Sequence, residues 1–244
     1  MYKHNLHHLP SRTVYSHWFL LSLNAGFINA GGFLATGRFV SHVTGFATLF
    51  GVEAVENRMD GAIGILSVPF FFLLGSIIAG ILVERPIDQK RIPHYDYVMS
   101  GAGLCLLISS MIGNFDQFGG SHHLKDTYIL MALLCLASGL QNAAIAASSQ
   151  SSVRTTHLTG LTTDLGLGIA RVLTSTLTRM ERHKEVKINW LRVGTIGSFV
   201  AGSALGAYVF KTGHYFGFML PATVSFYSAW HGWQLKASTR RVSA

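Results

Sequence analysis

Long apolar stretches, separated by short polar ones, run through the whole chain. Residues 61–83 form one such stretch and contain no Asp, Glu, Lys or Arg, and about 20 apolar residues are enough for a helix to cross a bilayer. Similar stretches cover residues 15–37, 97–113, 127–148, 193–210 and 214–235. This pattern predicts an all-α polytopic membrane protein that forms a single membrane domain over residues 1–244.

The composition agrees with this class. Hydrophobic residues make up 49% of the chain, charged residues make up 12%, and the mean hydropathy is +0.37, whereas soluble domains carry about 25% charged residues. The formal net charge of +8 comes largely from Lys and Arg next to the apolar stretches, where such residues set orientation and meet anionic headgroups. We therefore expect the lipid bilayer, and not nucleic acid, to be the partner of these charges.

Two segments do not fit the apolar pattern, because each starts with polar residues and ends with apolar ones. SHVTGFATLFG at residues 41–51 and THLTGLTTDLG at residues 156–166 have the same residue at five of eleven positions. GFINA at 26–30 precedes the first copy, and GLQNA at 139–143 precedes the second. The shared order of these motifs indicates an internal duplication.

The duplication continues downstream, where GSIIAG at 75–80 matches GSFVAG at 197–202. We therefore predict two repeats, one over residues 15–113 and one over residues 127–235. Weak internal repeats of this kind are typical of transporter folds. A duplication that only built a stable helix bundle is the alternative.

The number of spans depends on how the two unusual segments are arranged. If each enters and leaves on one side, each repeat has three spanning helices plus one re-entrant half-helix, and the repeats are inverted. If each crosses the membrane, the chain has eight spans in two parallel repeats. Six spans place 15 of the 19 Lys and Arg on the cytoplasmic side with both termini, and eight spans place 13 there. Since basic residues collect on that side, the count favours six spans.

The two segments also hold the candidate binding residues. Gly45 and Gly160 are expected to let the backbone turn, and Thr44 and Thr159 are expected to cap short half-helices. The positive ends of two oppositely oriented half-helices would meet near the middle of the membrane around one site.

Arginine and histidine recur before each Thr-Gly pair. Arg38 and Arg154 are placed to bind an anion beside a half-helix N-terminus, or else to anchor a segment end at the interface. His42 and His157 are candidates for substrate binding or proton relay. The alternative for both histidines is a structural hydrogen bond to a backbone carbonyl at a helix break.

Amides and one carboxylate complete the set. Asn29 and Asn142 lie in matching Gly-x-x-Asn-Ala contexts, and an intramembrane amide needs either a ligand or a neighbouring helix as its partner. Asp164 has no carboxylate counterpart in the first copy, and it is a candidate for proton coupling or for an ion pair with Arg154 or Arg171. The predicted substrate-binding residues are therefore Asn29, Arg38, His42, Thr44, Gly45, Asn142, Arg154, His157, Thr159 and Gly160, with Asp164 as the coupling residue.

These motifs also carry a family resemblance. GRFVSHVTG at 37–45, GLQNA at 139–143 and RTTHLTGLTTDLG at 154–166 resemble the YoaK-like family of bacterial multi-pass membrane proteins. The resemblance covers about residues 15–235 and implies a bacterial inner-membrane protein of a largely uncharacterised, permease-like family. One departure is Phe46, where the family often has Asn after the first Thr-Gly pair.

The functional prediction is a small secondary transporter or permease for a small solute, with an anion as the favoured class and the site at the repeat interface. A membrane enzyme acting on lipid headgroups and a non-transporting scaffold or sensor are the alternatives. Because the sequence has neither a carboxylate cluster nor zinc-type Cys/His spacing, we expect no catalytic residues, no metal and no cofactor. The expected partners are the bilayer, the solute and, through small-residue helix faces, a second copy of the chain.

Overall fold

The computed structural model describes residues 12–56, 59–113, 124–149, 155–174 and 176–242. Within these residues all regular secondary structure is helical, and no strand is present. Five segments are long and apolar enough to cross a membrane, and the last of them, Arg179–Ser238, contains two consecutive long helices. The described part of the chain thus confirms an all-helical protein with several helices that are able to span a bilayer.

Six long helices cover the six predicted apolar stretches, and shorter helices lie between them. The helices are α1 (Arg12–Thr36), α2 (Val43–Val55), α3 (Met59–Ala79), α4 (Arg85–Asp88), α5 (Tyr95–Gly113), α6 (Leu124–Ser148), α7 (Leu158–Thr174), α8 (Arg179–Gly213) and α9 (Met219–Val242). A π-helical stretch, Gly80–Glu84, continues α3 into α4, and a 3-10 turn, His214–Phe218, separates α8 from α9.

Helix α8 starts well before its apolar stretch because its first turn is capped. The Thr178 hydroxyl accepts a hydrogen bond from the Glu181 backbone N–H at 3.3 Å, and the Glu181 carboxylate accepts one from the Thr178 N–H at 2.9 Å. This reciprocal capping box satisfies backbone donors that would otherwise lack partners. At the other end, His214 has a φ of 48° and ends the helix.

Helices α1 and α8 run in the same direction and pack along their length. The Ser22 hydroxyl donates to the Thr195 carbonyl at 2.8 Å, and further along both helices Gly31 lies against the ring of Phe210. Residue numbers therefore rise together along the two helices.

Helix α9 runs in the opposite direction to α5. Asp96 at the start of α5 contacts Lys236 near the end of α9, and Gly103 further along α5 lies against Phe226, which is earlier in α9. The order of contacts along the two helices is thus reversed.

The starts of α1 and α5 lie together. The Tyr95 hydroxyl is 3.4 Å from His17 Nε2, and Ile145, close to the end of α6, packs with Val14 and Trp18. We call the end of the bundle at which α1, α5 and α8 begin, and α6 and α9 end, the near end. The opposite end, where α1 ends, is the far end.

Two glycines at matching motif positions let neighbouring helices approach closely. A Cβ at Gly26 would overlap the carbonyl oxygen of Phe199 in α8, and a Cβ at Gly139 would overlap the carbonyl oxygen of Phe72 in α3. Small residues allow such backbone contact, which is a main source of helix association in membranes. The pairs α1–α8 and α3–α6 are therefore built in the same way.

The reverse contacts correct one detail of the sequence alignment. Gly202 lies against the Leu23 carbonyl, and Gly75 lies against the Leu136 carbonyl. The alignment of GSIIAG with GSFVAG pairs Gly75 with Gly197, but a Cβ at Gly197 would meet nothing within 4 Å. In the packing, Gly75 therefore corresponds to Gly202. A glycine is required where two helix backbones touch, and this position differs from the one that the alignment of the two motifs gives.

Candidate functional site

The first unusual segment turns back into the bundle after α1. Helix α1 ends at Thr36, and Gly37 follows with a φ of +70°, which glycine adopts without steric cost. The Ser41 hydroxyl and N–H then donate to Asn29 Oδ1 at 2.9 and 3.4 Å. Since Asn29 lies about two turns before the end of α1, α2 begins inside the depth of the bundle and not at its far end.

The second segment is held by the same device. Helix α6 ends at Ser148, and the Oδ1 of Asn142 accepts hydrogen bonds from the Thr155 hydroxyl at 3.4 Å and the Thr156 N–H at 3.3 Å. Asn142 also lies nearly two turns before the end of its helix. In both copies the amide oxygen of the predicted asparagine therefore binds the chain that leads into the next helix.

The histidines lie over the glycines that follow them. A Cβ at Gly45 would lie 3.3 Å from Nδ1 of His42, and a Cβ at Gly160 would overlap the ring of His157. The His42 carbonyl accepts the Gly45 N–H at 2.9 Å, and the His157 carbonyl accepts the Leu161 N–H at 3.2 Å. The glycines thus make room for the imidazole beside the first helical turn.

Two expectations about this turn are wrong. Gly45 and Gly160 lie inside helices with ordinary φ, and the only left-handed glycine among the described residues is Gly37. Thr44 and Thr159 lie within the first turn of α2 and α7 and not before it, and the N-cap of α2 is His42. Each helix starts at the residue after its histidine, two residues earlier than predicted.

A cavity of about 500 Å³ opens between the end of α1 and the start of α2. Its lining includes Arg38, Phe39, His42, Gly45, Phe46 and Leu49. The Arg38 side chain is half-buried and makes no hydrogen bond or ion pair with another described residue. The structure thus brings together three of the predicted residues of the first copy, Arg38, His42 and Gly45, while Thr44 is exposed.

The electrostatics of this cavity suit an anion. The first N–H groups of a helix have no intrahelical partner, and the His42 side chain forms no capping hydrogen bond with them. The partial positive charge of the α2 N-terminus and the guanidinium of Arg38 therefore face the same space. A small carboxylate, phosphate or similar group can be bound there by charge-assisted hydrogen bonds.

The second copy has a different setting. His157 and Thr159 are exposed, and Arg154 lies outside the described residues. Helix α7 lies along α8, where the Arg171 guanidinium donates to Glu185 at 2.9 Å. Asp164 is exposed, and no hydrogen bond or ion pair joins it to another residue of the described chain. Of the two ion-pair partners predicted for Asp164, Arg171 therefore binds Glu185 instead.

The two copies lie apart. Helix α2 packs on α3, helix α7 packs on α8, and α2 and α7, both fully described, do not contact each other. The predicted residues of the two halves thus form two separate groups, one toward the far end and one toward the near end.

The structure also contains a pair of buried amides, Asn24 in α1 and Gln141 in α6, that the prediction did not include. Asn24 Nδ2 donates to Gln141 Oε1 at 2.9 Å, and Gln141 Nε2 donates to the Leu21 carbonyl at 2.9 Å. Both amide side chains are almost completely buried. They join α1 to α6, which is the interhelical role that amides often have in membranes. The sequence feature that could have indicated this pair is the presence of an amide residue within each of the two uncharged stretches.

A buried charged cluster at the near end was also missed. Lys236 Nζ lies 3.2 Å from Asp96 Oδ2, 3.0 Å from His94 Nδ1 and 4.8 Å from the centre of the Tyr97 ring. Lys236 and Asp96 are only 6% and 7% exposed. Both lie just outside the predicted apolar stretches 97–113 and 214–235, so the hydropathy pattern did not indicate that they are buried. Buried charges are costly unless they are paired, which these are.

A model of the family described as "Protein of unknown function (DUF1275)" matches residues 17–230. No curated protein and no solved structure matches the chain.

Proposed function

We propose a function from the site itself, because the chain belongs to the DUF1275 family, whose description names no activity. We infer a small secondary transporter of the bacterial inner membrane that carries a small anionic solute. The observation that carries this proposal is the cavity where Arg38, His42 and the start of α2 meet.

The cavity has the size and chemistry that a small solute needs. Ligand pockets commonly enclose about 300–1,000 Å³ and combine apolar walls with a few polar groups, and this one encloses about 500 Å³. Phe39, Phe46 and Leu49 supply apolar wall, while Arg38 supplies charge. Because the Arg38 guanidinium is half-buried and has no partner among the described residues, it is available to a bound anion.

The proposed topology has six spans and two inverted repeats, with both termini in the cytoplasm. Asn29 holds the first segment toward the far end, and Asn142 holds the second toward the near end, so the half-helices are reached from opposite ends. The parallel pair α1–α8 and the glycine contacts shared with α3–α6 support the same arrangement. Inverted repeats with broken helices are a common transporter design.

For coupling, the buried pair Asp96–Lys236 is a better candidate than the exposed Asp164. Ionisable groups inside membrane proteins often form proton pathways. His94 contacts Lys236 directly, and His17, which contacts Tyr95 and His231, lies at the same end of α5. We propose that opening of the Asp96–Lys236 pair separates α5 from α9 during transport. Asp96→Asn, which removes the charge that pairs with Lys236, is then expected to abolish uptake while anion binding at Arg38 persists.

The binding test uses purified full-length protein and a panel of small anions, including phosphate, sulfate and short carboxylates. At least one anion is expected to raise the unfolding temperature of the wild type. Arg38→Gln is expected to weaken that anion roughly 10- to 100-fold, since a hydrogen bond to a charged group contributes about 1.5–3 kcal/mol. Arg171→Gln, which changes an arginine of the second copy, is the matched control and is expected to bind normally. The proposal fails if no anion stabilises the wild type, or if both variants bind alike.

A second experiment tests the topology by labelling single cysteines at the exposed residues Gln89 and Arg182 in intact cells. Cys105 is replaced by Ala, and Cys135 is replaced by Ser because its thiol donates to the Val40 carbonyl. With six spans both labels are protected until the membrane is opened. Labelling of Gln89 alone from outside would support eight spans in parallel repeats.

The alternatives predicted from the sequence give distinct results in the same preparations. A membrane enzyme acting on headgroups would convert lipid in a reconstituted bilayer, and a scaffold or sensor would bind without accumulating solute. Uptake of the stabilising anion into proteoliposomes, lost in Arg38→Gln, distinguishes transport from both. We also propose that the protein forms a homodimer, in which helix faces with small residues make the contact.

A further inference from the structure

A groove of about 540 Å³ lies on the outer side of α1 and α8 at the near end of the bundle. Its lining includes Tyr15, Phe19, Lys187, Trp190, Val193 and Gly194. It is separate from the cavity at Arg38, which lies toward the far end. The groove is therefore not explained by the proposed transport site.

The lining changes from polar to apolar along the direction of the helices. Because α1 and α8 run parallel, Tyr15 and Lys187 lie nearer the near end than Phe19 and Gly194 do. Lys187 and Gly194 are separated by about 10 Å along the α8 axis, given a rise of 1.5 Å per residue. A charged entrance thus leads into an apolar channel that runs along the helices, which is how a phospholipid lies beside a membrane span.

The charge at the entrance is positive, and no residue that the structure describes neutralises it. Lys187 forms no hydrogen bond or ion pair with any other described residue, while the nearby Glu185 is occupied by Arg171 and Arg192. The first turns of α8 also carry Arg179, Arg182 and Lys184, and Glu181 is used in the capping box of Thr178. The local surplus of positive charge favours an anionic headgroup.

An exposed aromatic residue places the entrance at the membrane surface. Trp190 is 70% exposed, although it lies next to the apolar groove. Exposed tryptophans at the ends of spanning helices commonly lie at the headgroup level. Lys187, one turn earlier in α8, is then at the depth of the lipid phosphates.

We propose that this groove binds one anionic phospholipid. Lys187 contacts the phosphate, and one acyl chain lies against Phe19, Val193 and Gly194. Gly194 is needed because a Cβ there would press on the Phe19 ring and narrow the groove. The site selects the lipid by the charge of its headgroup.

The test uses the full-length protein purified in neutral detergent and titrated with phosphatidylglycerol or phosphatidylcholine of the same chain length. Bound lipid is counted by native mass spectrometry, and the unfolding temperature is followed in parallel. We expect one phosphatidylglycerol to bind more tightly than phosphatidylcholine. Lys187→Gln is expected to lower the affinity for phosphatidylglycerol about fivefold, because one lysine near a membrane surface contributes about 1 kcal/mol to the binding of anionic lipid.

Two further variants separate a site from general attraction to the surface. Lys184→Gln removes the same charge one turn earlier in α8, outside the groove lining, and is expected to leave binding unchanged. Val193→Trp fills the groove from an exposed position and is expected to weaken the binding of both phosphatidylglycerol and phosphatidylcholine. Equal losses in Lys184→Gln and Lys187→Gln, or equal binding of the two lipids by the wild type, would overturn the proposal. Soluble glycerol phosphate at the same concentration is expected not to compete, and competition by it would indicate a headgroup site without a chain channel.

Discussion

The two Thr-Gly segments share a local design but differ in what surrounds them. In both, an asparagine two turns inside the preceding helix holds the chain, and a histidine ring lies over a glycine. The residue after the Thr-Gly pair, Phe46 or Leu161, is buried in both. The first segment then borders an open cavity with Arg38, whereas the second lies along α8.

This difference distinguishes the residues that form the turn from the surroundings that determine what the turn can bind. The residues that the copies share, such as the asparagine, the histidine and the glycine, build the turn in both. What each turn can bind depends on its surroundings, because the first copy lies beside a cavity and the second lies along α8. Phe46, a departure from the family pattern, is thus a packing residue here, because the position it occupies faces the core in both copies.

The largest effect is expected from glycines that allow the helices to touch. Gly26→Ala and Gly139→Ala each place a Cβ on a backbone carbonyl of the neighbouring helix, so each is expected to cost about 3 kcal/mol and to lower strongly the yield of folded protein. Gly51→Ala and Gly166→Ala are the matched controls, since a Cβ at either would meet nothing within 4 Å. Size-exclusion profiles of the four purified variants measure this. Normal folding of only one of Gly26→Ala and Gly139→Ala would show that the two helix pairs are not equivalent.

An intermediate effect is expected from the asparagine anchors. Asn29→Ala and Asn142→Ala each leave backbone or hydroxyl donors without their acceptor, which costs about 1–3 kcal/mol. Similar falls in unfolding temperature are expected, because both side chains make the same pair of contacts. A loss in only one variant would break the comparison and show that the other asparagine does not stabilise its turn.

The smallest effect is expected at the glycines beneath the histidines. Replacement of a helical glycine by alanine gains up to about 1 kcal/mol, which offsets the displacement of an exposed imidazole, so Gly45→Ala and Gly160→Ala are both expected to change stability by less than about 1 kcal/mol. They differ in the histidine, since only at Gly160 would the new Cβ overlap the ring. The imidazole NMR signal of His157 is expected to shift in Gly160→Ala more than that of His42 shifts in Gly45→Ala. Equal shifts would mean that both rings are equally free to move.

Much of the architecture followed from the linear pattern, because a bilayer imposes long uncharged helices on any chain that crosses it. The sequence alone showed six apolar stretches, a smaller fraction of charged residues than soluble domains carry, and the paired motifs. The same repetition predicted Asn29 and Asn142 as binding residues, and the structure shows their amide oxygens bound to the chain that follows. Their partners were not predictable, since a hydrogen bond across an irregular turn depends on where the chain folds back.

What the sequence by itself determined was the helical membrane class, the duplicated segments and the residues within them that recur. Only the tertiary structure decided that the two segments lie apart, that Gly37 makes the turn, and that Lys236 and Asp96 form a buried pair 140 positions apart in the chain. The physical reason is that hydropathy and internal repetition describe neighbouring residues along the chain, and so each predicts single helices only. The depth at which a segment folds back, and the burial of a charge, are set by contacts between helices that are distant in sequence.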